Sequence, residues 1–289
     1  MRTCEYGVSE VIGFILILGI VITGMGLVTL YGYPILLQEQ QNANIKNMER
    51  NMIVLQNEVK GLAYKSVPYR ETTMQISGGT LQVIQPNCPT CTVNDLNLSG
   101  QSYFTIQHSG AYIPFDIINP ATSTRFHPGL LQFESSPTAA IIGLQNGAVV
   151  TNGFDQTKIG STMLSEPRWF LDDVAATAIL PKTRTLVISM IQISSDDTLS
   201  KSGMGTVQMT ISELYPPQDM TLADETINIT YTDLTEGYSM AWHNYFDDPQ
   251  VFTKTSTIFS PCQVSGSTLT IPEVTRIIIK TYKIDILNI

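Results

Sequence analysis

The sequence predicts an α+β protein: a long N-terminal helix, hydrophobic and then amphipathic, followed by a mostly antiparallel, β-rich, sandwich-like domain. Three observations carry that expectation. No charged residue occurs between Glu10 and Glu39, a longer run than the roughly 20 apolar residues an α-helix needs to cross a bilayer. Ile45, Met48, Met52, Leu55, Val59 and Leu62 then recur in alternating steps of three and four, which puts them on one face of a helix. From Val67-Pro68 onward the pattern changes to short alternating segments divided by Asn-Pro, Asn-Gly and Ser-Gly turn signals.

Residues 1–7 read as a short polar leader. The hydrophobic stretch behind it exceeds the h-region of a secretory signal peptide, about 7 to 15 residues. It suits either a plain membrane anchor or a helix kept on the mature protein after a cut just before it. Residues 8–37 are therefore expected to form a transmembrane helix. Its five glycines, Gly13, Gly19, Gly24, Gly26 and Gly32, lower helix propensity in water but are tolerated where neighbouring helices or lipid surround the backbone. Tyr31-Gly32-Tyr33-Pro34 marks the interface: tyrosines sit at headgroup level, and Pro34 removes an amide and kinks the helix.

Residues 38–66 continue the helix as an amphipathic segment running to Tyr64, before Val67-Pro68 stops it. Its apolar seam has three possible partners: the chain's own β-domain, other subunits of a filament, or a second helix in a coiled-coil stalk.

Residues 67–289 are expected to be an extracellular β-domain. Thr72–Ile84 reads as two short strands around Gly78-Gly79. Further strands are predicted at residues 103–107, 111–118, 130–133, 139–144, 148–151, 185–193, 206–214, 225–232, 268–271 and 276–287, as a sandwich or large meander. Met163–Leu180 reads as a loop with a helical turn, and the aromatic-rich stretch from Gly237 through Phe246 toward Thr255 as a short helix packed on the sheet.

The chain is 43% hydrophobic but only 14% charged, with Ser, Thr, Asn and Gln in place of charge, a composition of β-rich surface domains. Residues 1–70 hold six basic and five acidic side chains, so the net charge of −9 lies entirely in the remainder. An acidic ectodomain repels phosphates, which argues against nucleic acid as a partner.

Of the four cysteines, Cys4 lies in the leader. Cys88 and Cys91 form a Cys-Pro-Thr-Cys loop and Cys262 stands far downstream. A loop-stapling disulfide, between Cys88 and Cys91 or from one of them to Cys262, is the expected reading, with a redox pair or half a zinc site as alternatives. No catalytic motif is present, and His108, His127 and His243 sit in unrelated contexts. The acidic pairs Asp172-Asp173, Asp196-Asp197 and Asp247-Asp248 lack the further spaced oxygens of a calcium loop. No catalytic residue, metal site or cofactor is therefore expected. Asn97-Leu98-Ser99 and Asn228-Ile229-Thr230 are glycosylation sequons, and Asn97 lies in a predicted loop.

The run Gly7-Val8-Ser9-Glu10-Val11-Ile12-Gly13-Phe14 resembles the amino terminus of archaeal type IV pilin-like proteins. Their type III leader is cut after Gly or Ala, just before a Val-Ser-x-Val-Ile-Gly run. Tyr31-Gly32-Tyr33-Pro34, Asn47–Met52 and Pro68–Thr72 extend the similarity, over the first 80 residues or so, to an uncharacterised branch of membrane-anchored, pilin-like surface proteins. The resemblance implies cleavage between Gly7 and Val8, and assembly through Glu10, Val11, Ile12, Gly13 and Phe14, which would make the helix of residues 8–37 the core of a filament. It also implies a prepilin peptidase, an assembly platform and other pilin-like subunits as partners.

Glu10 departs from the family, which commonly has Pro there. In an apolar core its carboxylate needs a partner, such as a neighbour's new amino terminus, whereas at the membrane surface water suffices.

The expected function is non-enzymatic: a structural or minor subunit of a type IV pilus-like surface filament. Its anchor would lie in the cell membrane and its C-terminal domain outside. A monomeric membrane-anchored β-domain for adhesion or envelope binding is the alternative, and a stalked extracellular enzyme the third class.

Overall fold

The computed structural model describes residues 6–65, 67–86, 102–116, 124–136, 140–153, 160–234, 237–252 and 258–289. Two compact units divide the chain between Lys46 and Asn47. The first is helical. Helix α1 (Tyr6–Leu27) passes through a π-helical turn at Val28–Gly32 into helix α2 (Tyr33–Lys65), which crosses the unit boundary. Pro34 ends neither helix. It has no amide to give Leu30, and the wide turn accommodates the loss just upstream, where the Tyr33 amide reaches back to the Val28 carbonyl.

The second unit is built on one 12-stranded sheet. Its strands are β1 (Tyr69–Ile84), β2 (Tyr103–His108), β3 (Ala111–Tyr112), β4 (Leu130–Ser135), β5 (Ile141–Gln145), β6 (Ala148–Asn152), β7 (Ser161–Ser165), β8 (Phe170–Val174), β9 (Thr183–Ser194), β10 (Ser200–Thr232), β11 (Gln263–Ser265) and β12 (Thr268–Asn288). The order is β7-β6-β5-β4-β1-β10-β12-β9-β8, with β2 beside β10, β3 beside β2 and β11 beside β12. All pairs are antiparallel except β9 with β12.

Three predicted pairs of short strands are in fact single bent strands. Thr72–Ile84 belongs to β1, whose register slips between Ile76 and Leu81 with Gly78 at φ 77°, so the Gly-Gly pair makes a bulge and no turn. The strands expected at residues 206–214 and 225–232 are parts of β10, and those at 268–271 and 276–287 are parts of β12. Pro216-Pro217 interrupts the β10–β12 ladder, and the Thr281 hydroxyl substitutes by bonding both the amide and the carbonyl of Tyr215. Met163–Leu180 holds the end of β7 and all of β8, where a loop was expected. Past β3, only residues 113–116 of the strand expected to reach Ile118 are described, and they are not strand.

The sheet curls so that β4, β5 and the turn that follows β5 return onto β9. The Ile193 amide donates to Pro128 O at 2.7 Å, and the Ile191 amide to Asn146 Oδ1 at 2.8 Å. Gly129 is indispensable there: its φ is +62°, and a Cβ would lie 2.0 Å from Ile193 O. Between the two halves lies an aromatic core of Phe104, Trp169, Tyr231, Trp242, Tyr245, Phe246 and Phe252. Helix α3 (Ser239–Phe246), the expected short helix, supplies three of these. Buried Gln145 orders them, accepting from Trp242 Nε1 at 3.0 Å and Tyr231 Oη at 3.2 Å.

Candidate membrane segment and its helical spine

Within the first unit, the apolar side chains of Val11–Leu37 are nearly all exposed, Leu30 at 71% and Phe14 at 68%. A helix rises about 1.5 Å per residue, so this stretch is about 40 Å long, more than the roughly 30 Å hydrocarbon core of a bilayer. It is the one helix among the described residues long and apolar enough to cross a membrane. Its polar groups satisfy themselves, since the hydroxyls of Thr23 and Thr29 bond Gly19 O at 2.7 Å and Met25 O at 2.9 Å. A Cβ placed on Gly13, Gly19, Gly24 or Gly26 would meet nothing within 4 Å. Nothing in the chain itself requires glycine at these positions.

Gly7, Val8 and Glu10 fall in the first turns of α1, described there by backbone alone. Val11, Ile12 and Phe14 are exposed on the same helix, so the predicted assembly residues share one apolar segment with Gly13.

Within the second unit, α2 behaves oppositely. Met48, Met52, Leu55, Val59 and Leu62 are fully buried, so the seam packs on the chain's own domain. A second, polar line fixes the helix. Gln56 Nε2 donates to Gly147 O at 2.6 Å and Glu166 O at 3.0 Å, and Lys60 Nζ adds a bond to Glu166 O at 2.8 Å. Burial lowers the Lys60 pKa. One turn on, Tyr64 meets Tyr282 edge-on at 6.0 Å and lies under the Arg168 guanidinium at 4.6 Å. Sequence reasoning found the seam and missed this line, whose only signal is polar residues four apart beside it.

The remaining candidates are dispersed. Cys88, Cys91 and Asn97 lie outside the described residues, as does Cys4. Cys262 is a free, buried thiol whose pKa is pushed up by burial. Asn228 lies within β10, between β2 and β12. His108 bonds Glu225 at 2.7 Å and His243 bonds Gly266 O at 2.6 Å. His127 is buried with neither ring nitrogen bonded, and burial, reinforced by Arg125, holds its pKa down at about 4. Asp173, of the acidic pair Asp172-Asp173, forks onto the fully buried Arg184 at 2.7 and 2.8 Å and pins β8 to β9. Among the described residues no three His, Cys, Asp or Glu side chains are grouped to hold a metal ion.

All but the end residues of the apolar helix and the curled sheet fall inside residues 7–287, which match the model of a family described as a family of unknown function, DUF7289. The chain belongs to this family. An uncharacterized protein of Archaeoglobus fulgidus is similar to it, 28% identical over 75 residues, or 26% of this chain and 29% of that protein. This DUF7289 member thus spans under a third of the length of the curated relative it matches. No solved structure matches it. Since the match begins at Gly7 and runs almost to the end of β12, the family unites the hydrophobic helix and the β-domain in one unit of descent.

Proposed function

We propose that this chain is a non-enzymatic structural or minor subunit of a type IV pilus-like surface filament, assembled through its N-terminal helix. The observation that carries the reading is the unpartnered apolar run Val11–Leu37, whose glycines leave bare backbone that the chain does not use. Small residues on such a helix let a neighbouring backbone approach closely. The leader junction at Gly7-Val8, similar to that of pilin-like proteins, adds a peptidase and an assembly platform as partners. In this reading the helix enters the cell membrane first, the β-domain lies outside, and other copies then replace lipid around Val11–Leu37.

The second reading, a monomeric anchored surface domain, draws on a different observation. From Met48 to Leu62 the α2 seam is buried against the chain's own domain, which removes that stretch from assembly.

Amino-terminal mass analysis of the native protein, followed by shearing of intact cells, separates the two. A mature start at Val8 with the protein in the sheared fraction supports the filament. An intact Met1 retained in the membrane overturns it in favour of the anchor. Glu10→Gln is expected to abolish assembly while leaving membrane insertion intact, and unchanged assembly would remove Glu10 from the mechanism.

A further inference from the structure

In the last six residues of β10 the side chains alternate strictly, with Ile227, Ile229 and Tyr231 in the core and Asn228, Thr230 and Thr232 half-exposed on the outer face. The sequon Asn228-Ile229-Thr230 is extended there, and its two chemically required side chains stand side by side on the solvent face. Their neighbours across the ladder are Gln107 and Thr270 beside Asn228, and Thr105 and Thr268 beside Thr230. Gln263 and Ser265 of β11, both exposed, continue the two ranks. No charged residue occurs in either rank, although the domain around them is acidic. Thr270 Oγ1 donates to Asn228 Oδ1 at 2.8 Å, which orients the carboxamide and gives Nδ2 no protein partner among the described residues.

We propose that Asn228 is N-glycosylated and that its first sugars lie on this flat hydroxyl and carboxamide face. The occupant is the chain's own glycan, because the sequon is part of the face that would receive it. In the transfer, the Asn228 amide nitrogen forms a bond to the anomeric carbon of an activated, phosphate-linked sugar. The carbon–oxygen bond to the phosphate carrier breaks, the carrier departs as its phosphate, and the amide loses one proton to base. Nothing is oxidised or reduced. The short threonines beside Asn228 leave room for a sugar ring, and the neutral donors and acceptors match its hydroxyls. A glycan there covers the outer face of β2, β10 and β12 and withdraws it from lateral contact with other subunits.

The proposal rests on the reading that the β-domain is outside the cell, so the experiment reports on both. Full-length protein from its native membranes is cleaved after Glu225 and Glu236, releasing residues 226–236 with a single sequon, and the peptide is weighed and fragmented. The expected result is a sugar-bearing mass absent from Asn228→Gln and Thr230→Val and retained in Thr230→Ser. Protease access to the domain on intact cells is measured in parallel. An accessible domain with only the bare peptide overturns the glycan alone. An inaccessible domain with the bare peptide overturns the glycan and the surface location together. Thermal unfolding of Asn228→Gln, expected to match the deglycosylated protein, controls for folding.

Discussion

Residues 11–37 and 48–63 belong to one helical run, yet one segment exposes nearly every apolar side chain and the other buries a stripe of them. The difference lies in how hydrophobicity is distributed around the helix. The first segment is apolar on all sides and uncharged, so it has no face to turn to water. The second buries a stripe of apolar residues spaced three and four apart, Met48, Met52, Leu55, Val59 and Leu62, and keeps Glu49, Arg50, Val54 and Glu58 off that stripe, so one side meets the sheet and the other meets solvent. The same backbone geometry thus presents an apolar surface on all sides in one segment and a single buried stripe in the other.

The largest effect that would sharpen this contrast is Leu55→Ala. Opening a cavity under the spine should cost about 2–5 kcal/mol of domain stability. It should lower the melting temperature while leaving the protein in the membrane fraction. The mirror experiment is Ile20→Arg, which places a charge in the apolar run at an insertion cost of about 2.5–3.5 kcal/mol. Carbonate-resistant membrane association should fall and domain melting should not. If both variants changed both readouts, the two segments would not be separable.

Acid should discriminate similarly. His127, buried neutral with its pKa at about 4 against an ordinary 6.5, is protonated more readily in the unfolded chain. Domain stability should therefore fall with pH from about 6.5 to 4, by about 3 kcal/mol at most. Replacement of His127 by Gln should flatten that window. Membrane association should hold throughout, because no charged residue lies between Glu10 and Glu39.

Smaller still is Gln56→Ala, which leaves Gly147 O without its side-chain donor and Glu166 O with Lys60 alone, costing about 1–3 kcal/mol. The least effect belongs to Glu273. Its carboxylate is held at about 2 by Lys182 and then Ser260, so it contributes above the ordinary carboxylate range near 4.5 and loses that contribution as pH falls toward 2. Glu273→Gln should shallow this lower limb of the acid titration without removing it, since Asp219 and Glu225 are also held below the ordinary carboxylate range by Arg276 and His108.

The helical part was largely legible in the sequence, because helical periodicity and a charge-free run are local signals. The seam at Met48–Leu62 was visible, but its partner was not, since the contacts to Gly147, Glu166 and Tyr282 bridge long separations in the chain. Strand alternation located β2, β4, β5 and β6 closely. It failed at β10 and β12, where bulges at Pro216-Pro217, Asp224 and Glu273 bend a strand without ending it. Proline and positive φ look the same in sequence whether they close a hairpin or curve a sheet. Strand β8 was missed because it lies in Met163–Leu180, which reads as a loop with a helical turn, and only the buried Arg184 explains why an acid belongs in a strand there. The assembly residues were named from similarity at Gly7–Phe14, a signal that spacing alone does not contain.

The most direct test of one helix serving two solvents is thiol labelling of full-length protein in native membranes. Ile20→Cys and Leu55→Cys are treated with a water-soluble maleimide before and after urea, with labelled positions assigned by peptide mass. Ile20→Cys is expected to stay unlabelled in both conditions, and Leu55→Cys to label only after the domain unfolds. Labelling of Ile20→Cys in the folded protein would contradict this.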